Sequence, residues 1–291
     1  MYRTAEEAQS VQLDASSLLW RYAGDTRIAF LGSSIGLLQL MHPAIGAGVL
    51  DHSEFFDDPT GRVFRSLPRI LGAVYDEDPV ATGHEVRGFH NTIKGHLADG
   101  SAYHALEPAT FWWAHATFQY MAEQVVDRWD RRRLREDERE QLYREGIEWY
   151  RRYGVSDRVV PPTRTAFQHE WDRVCAEDLE MNDAVRFVLK ILDAPRLPAF
   201  NDHGTIPSPI KWLVNQRAVR RTVAYPLRVI AVGGLPPIVR ERFDIPWTRR
   251  NQIEFDAMRA IVANTWSALP GSLRWQPAAA DGWRRATGKL P

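Results

Sequence analysis

The chain has 291 residues, 44% of them hydrophobic and 25% charged, which is usual for a soluble globular protein with one large domain or two small ones. Lys plus Arg and Asp plus Glu both number 37, so the net charge is zero and the basic field typical of nucleic-acid-binding proteins is missing. The single cysteine, Cys175, excludes an intrachain disulfide and a thiolate metal cluster. The first residues hold no apolar secretory core, so we expect a cytoplasmic location.

The first third of the chain reads as a series of helices. They are expected over Leu13–Ala23, from Thr26 to about Met41, and again after Pro43. The uncharged run Ile28–Leu50 is long enough to span a bilayer. Because Pro43 should break this run into two shorter helices, we expect a buried helix pair and no stable membrane span.

The middle of the chain carries clear start and stop signals. These are a helix opening at Pro59 or Thr60, a helix from Asp78-Pro79 to Gly95, a turn at Ala98–Ser101, an apolar helix from Glu107-Pro108 to about Val126, and a charge-dense stretch, Asp127–Glu140. We interpret the charge-dense stretch as a solvated helix end, a turn and the start of the next helix.

Helices also dominate the C-terminal half. They are expected to run through Arg152, over Thr163–Leu179 and Asn182–Leu192, then after a proline-rich loop at Pro195–Pro209 to about Val232, and last from about Thr248 to Leu269. No period-two run is convincing enough for a sheet, and no internal repeat is visible. The pattern therefore predicts an all-α protein in which residues 1–291 form a single helical domain.

Basic residues and a histidine recur at helical spacing. Arg87, His90 and Lys94 stand at offsets of three and seven, which would place them on one helical face, and Arg62 and Arg65 begin a similar row about one helix earlier. An imidazole among cations suits a cofactor pocket, and His90 is the leading candidate ligand. The alternative is a partly buried histidine that donates to a backbone carbonyl.

A second histidine lies in an apolar helix. Trp112, His115 and Gln119 share one face there, and a buried His115 needs a carbonyl, a carboxylate or a cofactor as its partner. The chain has no HExxH pair, GxSxG elbow, Walker loop or GxGxxG motif, which argues against zinc-protease, hydrolase and nucleotide chemistry. It also has no Glu-x-x-His pair, which argues against a carboxylate-bridged di-iron bundle.

Five segments together resemble a known family. They are Gln39-Leu40-Met41-His42-Pro43-Ala44, Gly48–Ser53, Gly61–Leu67, Val86–Gly95 (an Arg-x-x-His-x-x-(Val/Ile)-(Arg/Lys) pattern) and Trp113-Ala114-His115-Ala116-Thr117. In order and spacing they are similar to the helical oxygenase domains that include the bacterial latex-clearing rubber oxygenases and the fungal MpaB oxygenase. The resemblance covers about Gly24 to Leu269.

The resemblance implies b-type heme in an all-α, distantly globin-like core. It places the proximal iron ligand at His90 and matches a distal Arg-x-x-Lys-Thr segment with Arg62-Val63-Phe64-Arg65-Ser66. Arg65 stands where the family has a lysine. Arginine does not deprotonate to coordinate iron, so the resemblance implies an open or water-bound distal side rather than a lysine-capped one.

The resulting hypothesis is a heme-dependent oxygenase that acts on an apolar small molecule with dioxygen. His90 would bind iron, Arg62 and Arg65 would line the oxygen side, and Arg87 or Lys94 would meet the heme propionates. Trp112 and His115 would shape the pocket, with His115 the alternative iron ligand. A non-catalytic carrier of heme or of a lipid-like ligand, and an interaction protein with core histidines, are the competing hypotheses. A homodimer is compatible with an apolar helical surface.

Overall fold

The computed structural model describes residues 11–52, 59–199, 212–213 and 215–291, and of residues 59–65 it describes the backbone alone. Its described part is built from α-helices, with short π- and 3₁₀-helical turns and one small hairpin, which confirms the all-α prediction. The helices are α1 (Leu18–Tyr22), α2 (Ile28–Leu40), α3 (Pro43–His52), α4 (Pro59–Tyr75), α5 (Pro79–Gly88), α6 (Pro108–Trp129), α7 (Glu136–Arg151), α8 (Arg164–Arg173), α9 (Asp183–Asp193), α10 (Arg217–Gly234), α11 (Pro237–Arg242), α12 (Arg249–Thr265), α13 (Gly271–Arg274) and α14 (Pro277–Thr287).

Helix α2 lies at the centre of the molecule. It carries no charged residue, seven of its thirteen residues are buried, and it packs against α3, α6, α9 and α10. Pro43 begins α3 at an angle of 96° to α2, so the predicted break is confirmed. Among the described helices none is by itself both long and apolar enough to cross a bilayer, and only the bent pair α2–α3 reaches that length when its arms are counted together.

Helices α6 and α7 are rich in aromatic and charged side chains. The predicted boundary between them is confirmed, because α6 ends at Trp129 and α7 begins at Glu136. Eight of the eleven tryptophans are buried (Trp20, Trp112, Trp113, Trp129, Trp149, Trp171, Trp275 and Trp283). The high tryptophan content therefore serves mainly to fill the core.

The C-terminal helices return to the N-terminal turn. The backbone N–H of Thr26 donates to the carbonyl oxygen of Arg274 at 2.9 Å, and that of Gln276 donates to the carbonyl oxygen of Gly24 at 2.8 Å. Beside this turn, Arg27 pairs with Asp25 at 2.7 Å, with both side chains about 95% buried (5% and 6% exposed). Helices α13 and α14 are not predicted, since the last predicted helix ends near Leu269.

Four other expectations were wrong in part. The helix that starts at Pro79 ends at Gly88 rather than Gly95, and β1 (Lys94–His96) pairs with antiparallel β2 (Ala102–His104), although no sheet was expected. The helix predicted over Thr163–Leu179 changes to a π-helical turn at Val174–Asp178, and α1 begins five residues after Leu13. Part of the predicted Pro195–Pro209 loop, from residue 200 onward, lies outside the described residues.

Candidate functional site

The segment that carries His90 begins with the short helix α5. Its start follows the predicted signals, because the Asp78 side chain accepts a hydrogen bond from the Ala81 N–H at 2.9 Å and Pro79 takes a first-turn position. A Cβ atom on Gly83 would stand 2.3 Å from the carbonyl oxygen of Arg152. The close approach that this glycine permits seats α5 directly on the end of α7.

Helix α5 ends in a series of tight turns. The backbone N–H groups of His90 and Asn91 donate to the carbonyls three residues earlier, at 2.9 and 3.2 Å, instead of four residues earlier. Gly88, a poor helix former, is the last helical residue. His90 therefore lies in the turn that follows the helix, two residues beyond its end.

The His90 ring is held by the last turn of α5. Its Nδ1 lies 2.8 Å from the carbonyl oxygen of Val86, which can only accept, so Nδ1 carries the proton and donates. In the neutral ring the lone pair is then on Nε2. The ring also meets the ring of Phe111 edge to face, with 5.5 Å between centroids. The side chain is half-buried and has a defined tautomer and orientation.

The hairpin after His90 fixes this segment to α3. The predicted turn is confirmed at Gly100, whose φ of 86° is in the left-handed region that favours glycine. His52 donates from Nε2 to the Lys94 carbonyl oxygen at 2.9 Å, and the Tyr103 hydroxyl donates to Oδ2 of Asp51 at 2.6 Å. Both α3 contacts hold the strands that follow His90.

The three residues Arg87, His90 and Lys94 do not share a helical face. Arg87 is in α5 and donates from Nη1 to the carbonyl oxygen of Gly154 at 3.0 Å, whereas Lys94 is an exposed residue of β1. Their spacing of three and seven matched a helix, but the chain turns into the hairpin between His90 and Lys94. The structure keeps the three in one short segment and in different conformations.

His115 lies in the interior of the protein. It is 2% exposed, and its Nε2 donates to the Gly146 carbonyl oxygen of α7 at 2.8 Å. Burial lowers the pKa of His115 to about 4, so the ring is neutral at physiological pH. Its Nδ1 is buried and makes no hydrogen bond within the described residues.

Aromatic rings enclose His115 and connect it to His90. The rings of Trp112, Trp149, Tyr150 and Tyr153 pack around His115 with centroid distances of 4.9 to 5.8 Å. Phe111 contacts Tyr150 and Tyr153 on one side and His90 on the other, so it separates the two histidines.

Trp112 belongs to this enclosure. It is 6% exposed and meets the rings of Tyr150 and Phe167 edge to face. Phe111 and the Val86 carbonyl both contact His90, and neither is among the predicted site groups. Only the apolar character of Phe111-Trp112-Trp113 gave any sign of a ring contact.

Two predicted residues cannot be placed by their side chains. Arg62 and Arg65 are in α4, and their side chains lie outside the described residues. Among the described residues, no three His, Cys, Asp or Glu side chains come together as ligands for one metal ion.

One comparison with known proteins gives a match. The family model described as ER-bound oxygenase mpaB/B'/Rubber oxygenase, catalytic domain, matches residues 20–264, a range that contains every predicted site residue. No curated protein and no solved structure matches the chain at a significant level.

Proposed function

The chain belongs to the family of the ER-bound oxygenase mpaB/B' and rubber oxygenase catalytic domains, and from this premise we propose that it is a heme b-dependent oxygenase with His90 as the iron ligand. Its co-substrates are dioxygen and an apolar small molecule. The observation that carries the proposal is the hydrogen bond from His90 Nδ1 to the Val86 carbonyl at 2.8 Å.

The state of His90 fits the role of an iron ligand. A metal-bound imidazole uses one nitrogen for the metal and donates its other N–H to an acceptor that fixes the ring. Val86 provides that acceptor, and the edge-to-face contact with Phe111 limits rotation of the ring. Because heme iron can be held by one protein side chain, the site does not require a cluster of several ligating residues.

Burial favours His90 over His115 for this role. His115 is 2% exposed, and its Nε2 already donates a hydrogen bond to the Gly146 carbonyl oxygen. Four aromatic rings surround it. A macrocycle could reach it only if this enclosure opened. We therefore assign His115 and Trp112 to the wall behind His90 and Phe111, where they keep that side of the site apolar.

The basic residues of the segment suit the acidic edge of a heme. Within the described residues Arg87 donates one hydrogen bond, to the Gly154 carbonyl oxygen, and a guanidinium has five N–H donors, so the others can pair with a propionate. Lys94, exposed in β1, is the second such cation. Both are close to His90 in sequence, as the proposal requires.

Arg62 and Arg65 are the proposed residues on the side where dioxygen reacts. Heme, when bound, supplies the activation of dioxygen. A guanidinium stabilises negative charge and holds its own proton throughout the physiological range. At position 65 it would therefore supply a fixed positive charge and a hydrogen-bond donor, and it would not act as a ligand of the iron.

Absorbance spectroscopy of the purified protein, expressed with heme supplied, tests the cofactor assignment. We expect a Soret band that disappears in His90→Gly and returns, at least in part, when imidazole is added. His96→Gly is the matched control, because His96 is an exposed histidine of the same segment. Heme retention that is equal in His90→Gly and in the wild type would refute the assignment.

Oxygen consumption then separates an oxygenase from a carrier. We expect the heme-loaded protein to consume dioxygen when supplied with a reactive member of a panel of isoprenoids, alkenes and fatty alcohols. Tight heme binding without oxygen uptake across such a panel would favour the carrier hypothesis instead.

A further inference from the structure

A cavity lies away from the proposed heme ligand. It has a volume of about 370 Å³ and is formed by the end of α6, the α10–α11 junction and the first half of α12. Its lining includes four arginines, Arg128, Arg133, Arg240 and Arg259, and the apolar residues Leu235 and Phe255. None of these residues belongs to the His90 segment.

The charge of this cavity is strongly unbalanced. Four of its lining residues are arginines and one is a carboxylate, Asp127. That carboxylate is already neutralised, because Arg139 donates to both of its oxygens from outside the cavity. Arg259 pairs with Asp256 at 2.9 Å. Within the described residues, Arg128, Arg133 and Arg240 have no carboxylate partner.

Two of the unpaired arginines are held in place by the C-terminus of α10. Arg128 donates from Nη1 to the carbonyl oxygens of Gly233 and Gly234 at 3.0 and 3.2 Å. Arg240 donates from Nη1 to the carbonyl oxygen of Leu235 at 2.7 Å and also reaches that of Gly233 at 3.5 Å. The negative end of the α10 dipole stabilises both cations. Both guanidinium groups are thus preorganised at the same helix end.

These arginines keep unused hydrogen-bond donors. Within the described residues, Nε and Nη2 of Arg240 have no acceptor, and its guanidinium carbon lies 4.9 Å from the centroid of the Trp247 ring. The Nε of Arg128 also has no acceptor there. Arginine donors of this kind bind carboxylate and phosphate oxygens in pairs.

The unpaired charges carry an energetic cost that an anion would remove. Burial and the nearby positive charge of Arg128 both lower the pKa of Arg240. A bound oxyanion would offset the repulsion between the two cations and replace the water lost by their partial burial. The apolar residues Leu235, Pro237 and Phe255 line the same cavity and would contact the remainder of a ligand.

We propose that this cavity binds a small molecule with an oxyanion head, held by Arg128 and Arg240, and an apolar body that lies against Leu235, Pro237 and Phe255. The volume is within the range of small-molecule sites. The head is a carboxylate or a phosphate, since both match the paired donors of arginine. The proposal does not depend on heme and stands or falls separately from the function proposed for His90.

Isothermal titration of the full chain distinguishes the two heads. The probes are octanoate, octanol as its uncharged counterpart, and inorganic phosphate. We expect octanoate or phosphate to bind and octanol to bind far more weakly. Arg240→Met should weaken anion binding by about 10- to 100-fold, the loss expected for hydrogen bonds to a charged group. Arg133→Ala, at an exposed residue without a partner among the described residues, should weaken it less.

If Arg240→Met fails to fold, a second substitution tests the same proposal. It adds a negative charge to the cavity and keeps the hydrogen bonds of Arg128 and Arg240 to the end of α10. Gln124 lines the cavity, its side chain makes no hydrogen bond within the described residues, and Gln124→Glu places a carboxylate there with little change of shape. This internal carboxylate should occupy the arginines and abolish anion binding. Gln12→Glu adds the same charge at an exposed residue elsewhere and should leave binding unchanged.

The outcomes are decisive in either direction. Loss of octanoate binding in Gln124→Glu and Arg240→Met identifies a carboxylate site, and the same loss for phosphate identifies a phosphate site. The proposal is overturned if neither anion binds the wild type, or if binding is equal in the wild type and in Gln124→Glu.

Discussion

Titration of His115 should make the stability of the protein fall in mild acid. The folded protein holds the pKa of His115 at about 4, whereas the unfolded chain restores its ordinary value of 6.5. Between these two values the unfolded state binds more protons than the folded state, so the free energy of unfolding decreases as the pH falls. The cause is burial, which leaves the charged ring without solvent.

The size of the effect follows from the two pKa values. Near pH 7.5 the ring is neutral in both states and contributes almost nothing. Near pH 5 the unfolded chain is largely protonated at this histidine and the folded protein is not, which costs about 2 kcal/mol of stability. Most of this loss should therefore occur between pH 6.5 and pH 5.

Equilibrium unfolding in urea at both pH values, for the wild type and for His115→Gln, measures this contribution. Glutamine retains an N–H donor for the Gly146 carbonyl oxygen and does not titrate. The stability difference between the two proteins should change by about 2 kcal/mol in favour of His115→Gln as the pH falls from 7.5 to 5. Other titrating groups, such as His42, whose pKa is also lowered to about 4 by burial, cancel in this difference.

His96→Gln is the matched control, because His96 is exposed in β1. Its stability should follow the wild type at both pH values. A difference between the wild type and His115→Gln that is the same at pH 7.5 and at pH 5 would refute the reasoning. It would show that the ring gains a proton as easily in the folded protein as in the unfolded chain.

Three further predictions concern the packing of the fold. Arg27→Met should destabilise the protein by about 3–5 kcal/mol in urea unfolding, because it leaves the buried carboxylate of Asp25 unpaired; a loss below 1 kcal/mol would contradict this. Gly83→Ala should cost about 1–3 kcal/mol by thermal unfolding, since its Cβ would overlap the backbone carbonyl of Arg152 at the end of α7, whereas Gly88→Ala, whose Cβ would meet no side chain and no distant backbone within 4 Å, should be close to neutral. Cys175 should resist thiol reagents until the protein unfolds, because burial raises its pKa to about 12; rapid labelling of the native protein would show that it is accessible.

Local signals in the sequence predicted most of the helical framework. Pro43 and Pro108 act through their fixed φ and missing N–H, and the charges between Asp127 and Glu140 report a solvated helix end. These effects depend on residues close together in the chain. The same holds for the turn at Gly100, where one positive φ suffices.

The site was harder to predict because its contacts join distant segments. The spacing of Arg87, His90 and Lys94 fits a helix, but contacts of β1 and β2 with α3 stabilise a hairpin there instead. Strands of three residues are also too short to show a period of two. The partners of His90 and His115 are backbone carbonyl oxygens. Because every residue type carries a backbone carbonyl, the sequence does not show which one accepts the hydrogen bond.

The cavity that contains Arg128 and Arg240 could not be predicted from the sequence either. Its cations come from positions 128, 133, 240 and 259, which no spacing rule connects, and the neutral total charge of the chain hides their accumulation. Only the packing of α6 against the α10–α11 junction and α12 brings them together.

The most direct test of the central claim is the absorbance spectrum of heme-reconstituted protein with and without the imidazole of His90. We predict a Soret band in the wild type and in His115→Gln, its loss in His90→Gly, and its recovery on addition of imidazole. A spectrum that depends on His115 and is indifferent to His90, or no Soret band in the wild type after reconstitution, would contradict the account.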